Sequence, residues 1–270
     1  IWGRKLVMKK IWGWILRLFG KKINSFKRFA DPNKPFMGYM TVNNWSGKNP
    51  GKTLDALVKN NIQCAPFEFF ESPLAYADPN VQMRLNKFEK WIEEAHKRKV
   101  ILYVTLYNCN LGHSKTGHPE ITGPKCDKQI MTAAQKFAEW MQKYAFIYLT
   151  PCGEGGIQTK FASYDKKIQN WCKANMPLKQ LVNNWGARPT GTDGMGHFCQ
   201  HPSNCGATMT KGAWIMSDNG SFIRELKSYI SIYNCAKKLK SKNYTFIMYD
   251  FPENAPLNDE YMKAFNDAQK

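Results

Sequence analysis

The chain has 270 residues, 43% hydrophobic and 22% charged, a globular balance that excludes a disordered or collagen-like polymer. It is long enough to hold a core without disulfides, and it has no apolar run of the roughly 18–20 residues that a membrane-spanning helix needs. Lys and Arg total 39 against 21 Asp and Glu, a formal charge of +18. That excess points to an anionic neighbour: a membrane surface, nucleic acid or an acidic polymer.

Residues 1–35 read as a segment of their own. Arg4, Lys5, Lys9, Lys10, Arg17, Lys21, Lys22, Lys27, Arg28 and Lys34 stand against a single acid, Asp31. Between Lys9 and Phe29, the residues Trp12, Ile15, Phe19, Ile23 and Phe26 recur every three or four positions. Lys10, Arg17, Lys21 and Arg28 mark another face. The pattern predicts a basic amphipathic helix, and residues 9–29 suit an anionic membrane surface. The plain alternative is a helix that closes the bottom of the domain with solvated lysines. Gly13 and Gly20 weaken it by about 1 kcal/mol each. Arg17 interrupts the apolar run after Lys9-Lys10, which argues against a cleaved signal peptide.

Residues 36–270 alternate strand and helix. Phe36–Asn44 is a short β-like run, Thr53–Asn60 is helical and Ile62–Phe70 is extended. Asp78-Pro79 makes an N-cap with proline at the first helical position. The helix after it carries Leu85, Phe88, Trp91, Ile92 and Ala95 on one face. Val100–Tyr107 is a buried strand, followed by a stripe of Ile130, Ala134, Phe137, Met141 and Tyr144. Phe146–Thr150 is the fourth strand, and Ile168, Trp171 and Cys172 mark a helix. Leu178–Asn184, Gly196–Gln200 and Trp214–Ser217 supply strands five to seven. A long helix with Phe222, Leu226, Tyr229, Tyr233 and Leu239 comes next, then Tyr244–Tyr249 as the eighth strand and Asn258–Gln269 as a closing helix. Eight apolar strands alternating with helices predict an α/β chain folded as a (β/α)8 TIM barrel. A doubly wound sheet is the alternative, but no G-x-G-x-x-G follows the first strand. Val42-Asn43-Asn44-Trp45 and Val182-Asn183-Asn184-Trp185 echo each other at the ends of strands one and five.

A barrel works at the C-terminal ends of its strands. Those ends hold Trp45, Glu68, Tyr107, Asn108, Glu154, Trp185, Asp218, Tyr249, Asp250 and Glu253. Lysine is nearly absent there, which disfavours a phosphosugar site. Aromatic rings stack on a pyranose and amides read hydroxyls. Two carboxyls can cleave a glycosidic bond, one protonating the leaving oxygen and the other attacking carbon or activating water.

On these residues the chain resembles the clan A glycoside hydrolases, such as the family 5 cellulases and mannanases. Cys152-Gly153-Glu154-Gly155 is similar to that clan's acid/base turn after strand four. Ile215-Met216-Ser217-Asp218-Asn219-Gly220 is similar to its nucleophile turn after strand seven. The resemblance implies Glu154 as proton donor and Asp218 as nucleophile or base, with Trp45, Glu68, Tyr107, Asn108, Trp185, Tyr249 and Asp250 on the substrate. Two departures stand out. Gly153 replaces the usual Asn, and Asp218 is one methylene shorter than Glu. The shorter side chain widens a carboxyl gap that is about 5–5.5 Å in retaining and about 6.5–9.5 Å in inverting enzymes. Glu68, Asp250 and Glu253 therefore stay open as the second carboxylate. Glu154 also reads as a solvated loop acid, and Asp218 as the cap of a following helix.

Cys64, Cys152, Cys172 and Cys235 read as buried free thiols, while Cys109/Cys126 and Cys199/Cys205 flank loops that a disulfide would close. His197, Cys199, His201 and Cys205 match no common zinc spacing, and no metal or cofactor is expected. Gly47–Thr53 is one residue short of a P-loop. The reading is a monomeric glycoside hydrolase that acts on a poly- or oligosaccharide outside the cell or at a membrane surface, with no specific nucleic-acid partner. A non-catalytic glycan-binding barrel and a membrane-associated scaffold are the alternatives.

Overall fold

The computed structural model describes residues 28–41, 49–69, 81–106, 124–151, 162–182, 196–198, 214–219, 226–250 and 256–270, with backbone alone at 124–127, 162–165, 196–198 and 216–219. The elements are β1 (Met37–Thr41), α1 (Pro50–Lys59), β2 (Cys64–Glu68), α2 (Val81–Arg98), β3 (Ile101–Thr105), α3 (Pro124–Lys143), β4 (Ile147–Thr150), α4 (Ala162–Asn175), a 3-10 turn (Leu178–Gln180), β5 (Gly196–Phe198), β6 (Trp214–Asn219), α5 (Tyr229–Ser241), β7 (Thr245–Asp250) and α6 (Asp259–Gln269).

The strands form one sheet in the order β4-β3-β2-β1-β7-β6-β5, every neighbour parallel. Where the sequence predicts a fifth strand at Leu178–Asn184, the described residues make the 3-10 turn and then a parallel bridge, Leu149 to Leu181; residues 183 and 184 lie outside the described residues. Pro177 caps that turn, and its fixed φ and missing N–H suit a turn better than a ladder.

The sheet is curled. The Tyr148 ring on β4 lies 4.8 Å from that of Trp214 on β6. Five strand steps separate them, which in a flat sheet would be about 24 Å. Two cores follow from the curl. Alternate strand residues such as Phe67, Leu102, Leu149 and Phe246 pack outward on the helices. The others, Cys64, Ile101, Tyr103, Tyr148, Trp214, Ile247 and Tyr249, pack on one another with Phe36 and Val182. A doubly wound sheet would place helices on both faces. Here the second face is lined by strand residues and Phe36, as in a barrel-type α/β fold. Gly38 belongs to this inner face: a Cβ there would lie 3.1 Å from the Cys64 Cβ and from Ile247.

The helices begin and end on readable signals. The side chain of Asn49 accepts from the N–H groups of Gly51 and Lys52, and Pro50 opens α1, three residues earlier than the predicted start at Thr53. The helix predicted to run through Leu226 starts later, at Tyr229. Ser228 and Ser231 form a capping box there, which satisfies N–H groups that a turn at Leu226 could not. Of the described cysteines, Cys64 and Cys172 are buried free thiols and Cys235 is half-buried. Cys109, Cys152, Cys199 and Cys205, the side chain of Cys126 and the predicted 9–29 helix lie outside what is described. Asn61, Lys99 and Asn243, each just past a helix, take left-handed φ values of 55°, 60° and 63°, so three αβ turns close in the same way.

Candidate active site at the carboxyl ends of the strands

The inner face of the curled sheet changes character along the strands. At the N-terminal end it is aromatic. Trp214 meets Phe36 edge-on at 5.1 Å, and its Nε1 donates to the Pro32 carbonyl at 3.2 Å. Toward the C-terminal end the inward side chains become polar. Glu68 pairs in register with Thr105, and Thr105 with Thr150. The Tyr249 hydroxyl lies 3.4 Å from the Thr105 hydroxyl, across 144 residues of sequence. Tyr103 sits one step deeper on β3, wholly buried.

Glu68 is half-buried at the end of β2. Burial, then the Tyr103 phenol and the Glu68 carboxylate, push Tyr249 well above its ordinary pKa. Burial raises Tyr103 likewise, with Cys64 and Glu68 adding to it. Both phenols are therefore neutral donors at any physiological pH. The Tyr103 hydroxyl lies beside those of Thr150 and Thr105. Even so, neither the Tyr103 hydroxyl nor the Thr150 Oγ1 makes a hydrogen bond among the described residues. Buried hydroxyls ordinarily find partners. Here one carboxylate and four hydroxyls, two of them without a partner among the described residues, stand together at the C-terminal ends of the strands.

Asp250 takes another role. It follows Tyr249 on β7 and so faces the helices. Its Oδ2 accepts from the Tyr39 hydroxyl at 2.9 Å, and that hydroxyl accepts from the Asn258 N–H at 3.1 Å. Asn258 is the N-cap of α6, so Asp250 anchors that helix to the sheet. Position 218 pairs in register with Tyr249, which puts it in the inward row of β6 with Trp214. Trp45, Tyr107, Asn108, Glu154, Trp185 and Glu253 lie outside the described residues. The structure thus brings Glu68 and Tyr249 together, aligns position 218 with them and sets Asp250 on the opposite face.

Sequence reasoning missed Tyr103, Thr105 and Thr150. The signal was present. Tyr103-Val104-Thr105 and Tyr148-Leu149-Thr150 repeat one pattern in register on neighbouring strands, and polar residues at period two inside an apolar run mark an inner face. Among the described residues, no group of three or more His, Cys, Asp or Glu could hold a metal ion. Of the His197–Cys205 run, only the backbone of His197 and Phe198 is described.

Comparison with solved structures shows that this fold is similar to that of several glycoside hydrolases. GH5_18 from Streptomyces cattleya, in complex with GlcNAc, superposes with a TM-score of 0.59 at 10% identity, covering 87% of this chain and 80% of that one. The endo-1,4-beta-mannanase from Rhizomucor miehei gives 0.54 at 8% identity over 87% and 94%. The alpha-L-fucosidase AlfC from Lactobacillus casei gives 0.52 at 9% identity over 81% and 78%. No protein-family model matches the chain, and no curated protein matches it in sequence.

Proposed function

We propose that the chain is a glycoside hydrolase that cleaves a poly- or oligosaccharide at the C-terminal end of its barrel. The observation that carries this reading is the half-buried Glu68 carboxylate beside Tyr103 and Tyr249 in a fold shared with glycoside hydrolases. Hydroxyls and a carboxylate at the bottom of a barrel mouth suit a polyhydroxylated ligand, whose own hydroxyls both donate and accept.

In this reading Glu154 protonates the leaving oxygen. Asp218, in the inward row of β6, attacks the anomeric carbon or activates water. Glu68 is the reserve for the second role, and otherwise it binds a sugar hydroxyl. Trp45, Tyr107 and Trp185 supply stacking faces and Asn108 an amide. The enzyme works as a monomer, outside the cell or at a membrane surface.

The test is release of reducing ends from a panel of polysaccharides by the wild type and by Glu154→Gln, Asp218→Asn and Glu68→Gln. Loss of one member of the acid/base pair should lower turnover at least about a hundredfold with the fold intact. Undiminished turnover in Glu154→Gln removes that residue from the mechanism. A second reading, a barrel that binds glycan without cleaving it, is favoured by Gly153 and Asp218 standing where the clan has Asn and Glu. Calorimetric binding of a glycan that the wild type never cleaves would select it.

A further inference from the structure

The end of the barrel opposite the mouth carries a second surface. Two adjoining hollows of about 420 and 460 Å³ open beneath β3, β4 and Leu181 and share Pro32, Ala145 and Tyr148. Among the described residues their linings include Lys143, Lys179 and His96 and no carboxylate. Burial, then Cys64 and Asp31, raise the Tyr148 phenol, and Asp31 is itself exposed beside Lys34 at 3.9 Å.

Aromatic rings stand among these bases. Phe29 stacks on Phe146 at 4.7 Å, the Lys99 ammonium sits 5.1 Å over Phe29, and that of Lys143 sits 5.2 Å over Tyr144. Phe29 and Tyr144 are only half-buried. Helix C-termini attract cations by their dipoles, which accounts for Lys143 at the end of α3. It does not account for Lys179, which follows Pro177 in a separate turn, or for the half-exposed rings. The chain also reaches this surface at Arg28 from residues 1–27, which contain Lys and Arg but no Asp or Glu.

We propose that this end of the barrel docks onto an anionic phospholipid bilayer. Lys143 and Lys179 meet the headgroups, and Phe29 and Tyr144 lie at the interfacial level, where aromatic rings with a wet edge are favoured. Lys99 lays its stem on Phe29 and keeps its charge in water. A nucleic acid would use the charges but not the apolar walls of Ile101, Phe146 and Leu181. Docked in this way, the protein holds its mouth away from the bilayer.

The experiment is flotation of the full-length chain with vesicles of phosphatidylcholine alone or with phosphatidylserine added. Binding is expected only with phosphatidylserine, weakening as salt shortens the Debye length. At about fivefold per basic residue, Lys143→Glu/Lys179→Glu should lower the vesicle partition more than tenfold. Lys87→Glu/Lys90→Glu, an equal charge change on the exposed flank of α2, should lower it much less. Lys143→Gln/Lys179→Gln reads the same surface if charge reversal disturbs folding. Hydrolysis of a soluble glycan should be unchanged in all of them. Equal loss in the two reversal pairs, or none in the first, overturns the proposal. Binding to oligothymidylate as tight as to anionic vesicles also overturns it, in favour of a general polyanion surface.

Discussion

The Tyr39 hydroxyl joins two ends of the chain. It donates to Asp250 at 2.9 Å and accepts from the Asn258 N–H, while its ring packs on Phe265 of α6 at 5.7 Å. Asp250 is 5% exposed, so its carboxylate depends on such donors. Tyr39→Phe keeps the packing and removes the link. It should lower stability by about 1.5–3 kcal/mol, the range for hydrogen bonds to charged groups, read from the urea unfolding curve. A loss below about 0.5 kcal/mol would show that other donors hold Asp250.

Gly38 makes the inner face close-packed. With a Cβ facing contacts of 3.1 Å to Cys64 and Ile247, Gly38→Val has to push both strands apart. The expected cost is about 1–3 kcal/mol, with Gly38→Ala less severe. Denaturant midpoints of the two variants check the order.

Asp267 on α6 accepts from Lys263, Lys270 and Tyr229 at 2.6, 2.7 and 2.9 Å, and the two ammonium groups lead in holding its carboxyl well below the usual range. A depressed folded-state pKa gives stability that is present above the unfolded value of about 3.9. That stability is lost as pH falls toward and through the lower folded value. Asp267→Asn should therefore differ most from the wild type near neutral pH and converge on it in acid. Urea midpoints from neutrality down to about pH 3 test this; a constant difference would exclude the charge as the cause.

Burial pushes the Cys172 thiol up to about 12, and burial raises Cys64 as well. Thiolate is the reactive form, so neither should alkylate in the folded protein. Of these three, half-buried Cys235 should label first. Peptide mapping after brief iodoacetamide treatment gives the order, and early labelling of Cys172 would contradict it.

The parts of the fold that could be read from sequence are those governed by short-range patterns. Strands such as Ile101–Thr105 and Thr245–Asp250 are buried on both faces, so they stand out as unbroken apolar runs. The same burial hides which face is which. Tyr249 and Asp250 are adjacent, and only Trp214 and Tyr103 packing on one side reveals that Tyr249 turns inward and Asp250 outward. The predicted fifth strand opens with a turn for a local reason, since Pro177 favours a turn over a ladder. Helix starts at Asn49 and Ser228 were readable as caps but lost to the stronger pull of the hydrophobic stripe. For the site, position along the strand was legible from element order, whereas the Tyr103–Thr105–Thr150 floor depends on register between strands, which no single segment encodes.

The strand order has a bearing on biosynthesis. β1 lies between β2 and β7, and Phe36 donates to a hydroxyl, that of Thr245, 209 residues away. During translation the first strand therefore waits with one flank open until β7, some 209 residues further along the chain, has left the ribosome. The nascent chain exposes an unpaired apolar edge all that time, the state most prone to aggregation. Slower elongation would lengthen that exposure, and a chaperone bound over β1 would shield it until β7 arrives.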